Sequence, residues 1–172
     1  MKAVFPIIAI SLLLSACEAV KRMADEVYIK QLTSEGFEKM PIDSVLIVAN
    51  GNSATQRIME DVIPILEDGL KKRGINSVSV FISYSEKKVN EKEFDNRNYS
   101  HTLWIYEQDR ELQKLGNYNY LVPLAMKLTE NKTYENVWIA TTVYNDHVKN
   151  KFYKEKYAGL IILLFRANGI IR

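Results

Sequence analysis

Ser44-Val-Leu-Ile-Val-Ala49 constrains this chain more than any other stretch. It is apolar after Ser44 and bounded by Asp43 and Asn50-Gly51, and a run without polar alternation is the mark of a strand covered on both faces. It predicts the central strand of a sheet. Asn50-Gly51-Asn52 then turns the chain, with Ser53 as the expected N-cap of a helix. Ile58, Val62, Ile65, Leu66 and Leu70 recur at helical spacing until Arg73-Gly74 ends it. Pro64 lies inside this pattern; it lacks a backbone donor and clashes with the carbonyl of Glu60, so a kink is expected. A second strand runs from Val78 to Tyr84. Strand, helix and strand within about 40 residues predict a parallel pair joined by a crossover.

The remainder reads as a loop, three strands and a helix. Ser85 to Ser100 carries mixed charge with only Val89 and Phe94 as apolar anchors, the composition of an exposed loop. His101 to Glu107 contains Leu103-Trp104-Ile105-Tyr106 and predicts a strand. Tyr118 to Lys127 and Glu135 to Tyr144 predict an antiparallel hairpin turning at Glu130-Asn131-Lys132. Pro123 places the first of these at an edge or on a bulge. Asn145-Asp146 is the expected cap of a last helix from His147 to Ala167, with Phe152, Tyr153, Tyr157, Leu160, Ile161 and Leu164 facing inward and Asn168-Gly169 ending it. Leu160 to Phe165 is apolar all round but far too short to span a bilayer, so it is expected to pack on the sheet. The fold class is α/β (α+β): a single domain over residues 44–172, two- or three-layered, with a mixed sheet of about five strands.

The amino terminus carries an address. Met1-Lys2 is followed by an uncharged run from Ala3 to Leu14, too short before Glu18, Lys21 and Arg22 to span, and so a signal-peptide core. Ser15 and Ala16 are small and precede Cys17, the chain's one cysteine. Leu14-Ser15-Ala16-Cys17 resembles the lipobox of bacterial lipoproteins. The resemblance implies cleavage after residue 16, with covalent diacylglycerol on the Cys17 sulfur and an N-acyl chain on the new terminus. Two or more acyl chains give stable anchoring where one is marginal. Glu18, in place of the aspartate that retains such proteins at the inner membrane, implies the outer membrane facing the periplasm. Residues 1–16 are then the signal peptide. Residues 17–43 form a lipidated tether in which Val20, Ala24, Val27, Tyr28 and Leu32 fit a short helix or a partly ordered tether, and Ser34-Glu35-Gly36 and Met40-Pro41 break that pattern.

The order of elements over residues 44–171 resembles small envelope lipoprotein domains similar to the N-terminal domain of the Tol-system protein TolB and to periplasmic activators of penicillin-binding proteins. Those domains act by contacting other envelope proteins, which the resemblance implies here.

Catalytic signals are sparse. The turn Asn50, Gly51, Asn52, Ser53 opens a helix, whose free N–H groups suit an anion, but it has neither a P-loop lysine nor three glycines. A capped helix start explains it, and any small-ligand pocket belongs there. His101 and His147 are the two histidines, without the spacing of a metal site or a nucleophile elbow. Glu60/Asp61, Glu67/Asp68 and Glu91/Glu93 lie among lysines and arginines as solvated faces. The net charge of +2 gives no reason to invoke nucleic acid. Among the 10 tyrosines, Tyr118 and Tyr120 mark a possible partner surface on a sheet edge. The expectation is a non-catalytic, lipid-anchored envelope protein that binds another envelope protein, with no metal and no cofactor beyond its acyl chains. A glycan- or small-ligand-binding module and an enzyme are the alternatives.

Overall fold

The computed structural model describes residues 28–31, 42–83, 96–108, 121–145 and 150–172. Six strands form one sheet: β1 (Tyr28–Gln31), β2 (Ser44–Gly51), β3 (Asn76–Ser83), β4 (His101–Glu107), β5 (Leu121–Glu130) and β6 (Asn136–Asn145). Their spatial order is β1-β6-β5-β4-β2-β3. β2 pairs in parallel with β3 and β4, and the other pairings are antiparallel. The mixed α+β sheet is thus the one expected, with a sixth strand added. That strand corrects the helical reading of the segment before Met40: Tyr28 to Gln31 pairs with β6, from Tyr28 opposite Val143 to Gln31 opposite Ala140.

Helices α1 (Ser53–Asp61), α2 (Ile63–Lys71) and α3 (Lys151–Ala167) complete the described elements. Val45, Ile47 and Ala49 of β2 enter one continuous core with Ile58, Leu66, Leu70, Tyr157, Ile161 and Phe165 of the helices. Leu46 and Val48 point the other way and join Trp104 in a smaller cluster. The described helices therefore lie on one face of the sheet, because alternate strand residues face opposite sides. β2 is buried from Val45 to Gly51, as its unbroken apolar run requires.

Pro64 does more than kink the first helix. Val62 interrupts it, and Pro64 falls in the first turn of α2, where its missing donor costs nothing. Gly69 brings α2 close to α3: an added Cβ would lie 2.2 Å from Ile162 Cδ1. Lys154 of α3 also pairs with Asp61 at the end of α1, 2.6 Å apart.

Pro123 lies in neither an edge nor a bulge. β5 runs between β4 and β6, and its irregularity falls between Leu128 and Thr129. The Pro123 carbonyl accepts from the Gln108 N–H at 2.9 Å, just beyond the end of β4 at Glu107. A strand residue's nitrogen and carbonyl oxygen point to the same neighbour, so the missing donor falls where that neighbouring strand stops.

The last helix starts later than its sequence suggests. Asn150, rather than Asn145-Asp146, caps α3 by accepting the Phe152 N–H at 2.9 Å. Tyr153, Tyr157, Ile161 and Phe165 face the core, whereas Phe152, expected inside, is 69% exposed. Gly169 takes a positive φ of 66° as the helix ends. Ile170 and Ile171 then turn back into the core, with the Ile170 carbonyl accepting from the Ile42 N–H at 2.9 Å.

Candidate functional site

At the carboxyl ends of β2 and β4 the turn Asn50 to Ser53 is built as a closed corner. Asn50 is buried, and its Nδ2 donates to the Ile82 carbonyl of β3 at 3.0 Å. Gly51 is required by close approach: a Cβ there would sit 2.2 Å from Thr55 Oγ1. The Asn52 carbonyl accepts the first helical bond, from the Gln56 N–H at 3.0 Å. Asn52 therefore holds the cap position and Ser53 is the first residue inside the helix, a correction by one residue.

The anion suited to this helix start is supplied by the chain itself. The Glu107 carboxylate, at the end of β4, accepts from Asn52 Nδ2 at 2.6 Å, from the Asn52 N–H at 3.3 Å and from the buried Thr55 hydroxyl at 2.9 Å. A carboxylate against a helix amino terminus is favoured by both charge and hydrogen bonding. Sequence reasoning identified the turn and missed Glu107. The two are separated by 55 residues, and only the β2–β4 pairing joins them.

At the amino ends of the same strands a second cluster collects around Ser100. Its N–H donates to Ser44 Oγ at 2.9 Å, and its hydroxyl donates to the Ser44 carbonyl at 2.7 Å. The Ser44 hydroxyl reaches the neighbouring Asp43 carboxylate at 3.1 Å. The Ser100 and Ser44 hydroxyls hold the Asp43 carboxyl below its ordinary range. His101 is buried, with Nδ1 2.9 Å from Ser100 Oγ. Burial lowers its pKa, opposed by the charges of Glu130 and then Asp43.

Serine, histidine and carboxylate thus meet, but not in catalytic order. Nucleophilic catalysis needs the imidazole between the serine and the acid, so that it takes the serine proton while the acid orients it. Here Ser100, rather than the imidazole, stands between the other two. The arrangement clamps the start of β4 to the start of β2.

Asn131 extends this clamp to the β5–β6 turn. Its Oδ1 accepts from the buried Thr102 hydroxyl at 2.7 Å and from Asn96 Nδ2 at 3.0 Å. Its Nδ2 donates to the carbonyls of Tyr99 at 2.9 Å and Asn96 at 3.2 Å. Asn96 itself is buried, so the charged stretch expected as exposed loop ends in a fixed turn.

Of the other residues singled out in the sequence, Cys17, Tyr118, Tyr120 and His147 lie outside the described residues. The strand after Tyr120 is interior, so the described edges are β3 and β1 instead. Trp104, Trp138 and Tyr144 are buried, and Tyr144 meets Tyr157 edge-on at 5.4 Å. Among the described residues no group of three or more histidine, cysteine or acidic side chains could hold a metal. No helix among them is long and apolar enough to cross a membrane.

These features define an α+β domain with an open mixed sheet and, among the described residues, two internally closed strand ends. No protein-family model matches the chain, and no curated protein matches it either. Among solved structures it is similar to the PelC dodecamer from Paraburkholderia phytofirmans, at 14% identity and a TM-score of 0.50, covering 86% of this chain and 99% of that one. Protein XCC0632 from Xanthomonas campestris, of the family DUF330, shows 8% identity and a TM-score of 0.43 over 80% of this chain and 91% of its own. The LpoB C-terminal domain from Escherichia coli shows 16% identity and a TM-score of 0.32 over 64% of this chain and 88% of its own. The likeness to PelC speaks for the fold alone, and the two lower scores carry no argument.

Proposed function

We propose that the chain is a non-catalytic lipoprotein, anchored through acyl chains on Cys17 to the outer membrane facing the periplasm, whose domain binds another envelope protein. The observation that carries the binding role is where polar and apolar groups lie. The polar residues that invited chemistry are engaged in holding strands together, from Glu107 on Asn52 and Thr55 to Ser100 on Ser44. Large apolar side chains instead stand on the surface, among them Phe152, Leu163, Val78 and Val80. Val78 and Val80 share the sheet face away from the described helices while Phe152 and Leu163 stand on α3, and exposed apolar side chains of this kind offer contacts to a protein rather than to small-molecule chemistry. The sequence Leu14-Ser15-Ala16-Cys17 supports the anchor. That a protein of similar fold, PelC, assembles as a dodecamer agrees with a domain that works through protein contacts.

The reading is tested by photo-crosslinking in the native host from a probe at Phe152 or Leu163. A discrete crosslinked envelope protein, lost when the probe is moved to exposed Lys132, is the expected result. Only diffuse or position-independent products would count against a specific partner.

A further inference from the structure

We propose that β3 is an assembly edge, and that its occupant is the β3 strand of a second copy of this chain, added antiparallel to continue the sheet. The proposal is independent of the anchored partner-binding reading, and either can fail alone.

β3 is one of the two edges of the sheet among the described strands, bonded there to β2 only. Its eight residues, Asn76-Ser-Val-Ser-Val-Phe-Ile-Ser83, include no charge, no proline and no glycine. The register is unbroken from Asn76 opposite Ser44 to Ser83 opposite Gly51. Monomeric sheet proteins blunt such edges with lysines, prolines, bulges or very short strands, because unpaired N–H and C=O groups template another strand. The opposite edge follows that rule: β1 has four residues and carries the exposed Lys30. β3 has none of these devices.

The outward side chains agree. Val78 and Val80 lie opposite Leu46 and Val48, on the face away from the helices, and are 44% and 36% exposed. A second copy is the occupant that fits. A two-fold axis normal to the sheet sets Val80 opposite Val80 and Val78 opposite Ile82, all on one face. Because the strand is neutral throughout, no register of such a pair sets like charges against each other. A closed two-fold pairing also consumes both edges, so it ends at a dimer across this contact.

The test uses the full chain purified in detergent, with mass measured by sedimentation and light scattering. The wild type is expected to associate reversibly, and V78K and V80K are expected to weaken that association at least roughly tenfold, with unchanged circular dichroism. V143K, which changes an exposed valine on β6, leaves it intact. V80C in a Cys17→Ala chain gives an independent readout that needs no charge in the strand: mild oxidation should yield a disulfide-linked dimer that neither Cys17→Ala alone nor Cys17→Ala with V143C yields. A monomeric wild type, an assembly whose mass V78K and V80K leave unchanged, or an associating V80C chain that does not crosslink would each overturn the proposal.

Discussion

The two ends of the β2–β4 pair are closed in different ways. At the carboxyl end a single carboxylate, Glu107, gathers Asn52 and Thr55 onto the start of α1. At the amino end the work is spread over neutral groups, with Asn131 bound to Asn96, Thr102 and the Tyr99 carbonyl. Glu107 is half-buried and so open to solvent when a partner is lost, whereas Asn96 and Thr102 are buried. The cost of losing a hydrogen bond is set mainly by what remains unsatisfied. The neutral end should therefore be the more costly to break, although the charged end resembles a site more closely.

Asn131→Ala should be the most damaging change, destabilising by about 3 kcal/mol, because the buried Thr102 hydroxyl loses its acceptor and the buried Asn96 amide keeps only its 3.4 Å contact with Thr102 Oγ1. Glu107→Gln should cost only about 1 kcal/mol, since one acceptor oxygen remains on this half-buried side chain while the charge and one of the accepted bonds are lost. Chemical denaturation of the two variants measures both, and equal costs would break the comparison.

Gly51→Ala falls between the two. Its Cβ would fall 2.2 Å from Thr55 Oγ1, so a loss of about 2 kcal/mol is expected. Thr55→Ala made together with it should restore part of that loss, because the clash and the contact are one interaction. Additive losses in that double-mutant cycle would sink this account of the corner.

The smallest effect is a pH dependence at the amino end. His101 is held neutral by burial against the pull of Glu130 and Asp43, so its folded pKa lies below that of the unfolded chain, about 6.5. Below that pH the unfolded chain binds more protons, and stability should fall as acid is added. Above it the contribution of His101 is complete. Melting temperatures from pH 7 to pH 5 should decline less steeply in His101→Gln than in the wild type; parallel slopes would assign the acid sensitivity elsewhere.

What could be read in advance was local. Val45 to Ala49 is buried whichever neighbours it finds, and the helix after Asn52 follows from spacing alone. Gly169 ends α3 as Asn168-Gly169 suggested. Distant pairing was hidden. Tyr28 to Gln31 carries a weak helical pattern, yet its partner strand begins more than a hundred residues later and decides its conformation. Pro123 looked like an edge residue because nothing local shows that β4 stops beside it. The same blindness concealed Glu107, a residue of ordinary appearance until the parallel pairing brings it to Asn52. Phe152 satisfied helical spacing but fell outside the buried arc once the helix began at Lys151.

The claim that the domain acts from a membrane anchor rests on Cys17, and fractionation of cells producing the wild type and Cys17→Ala tests it most directly. The wild type should sediment with outer membranes and dissolve only in detergent, whereas Cys17→Ala should lose that association through an acylated cysteine. Identical membrane retention of the two, after the signal peptide has been removed from both, would contradict the account.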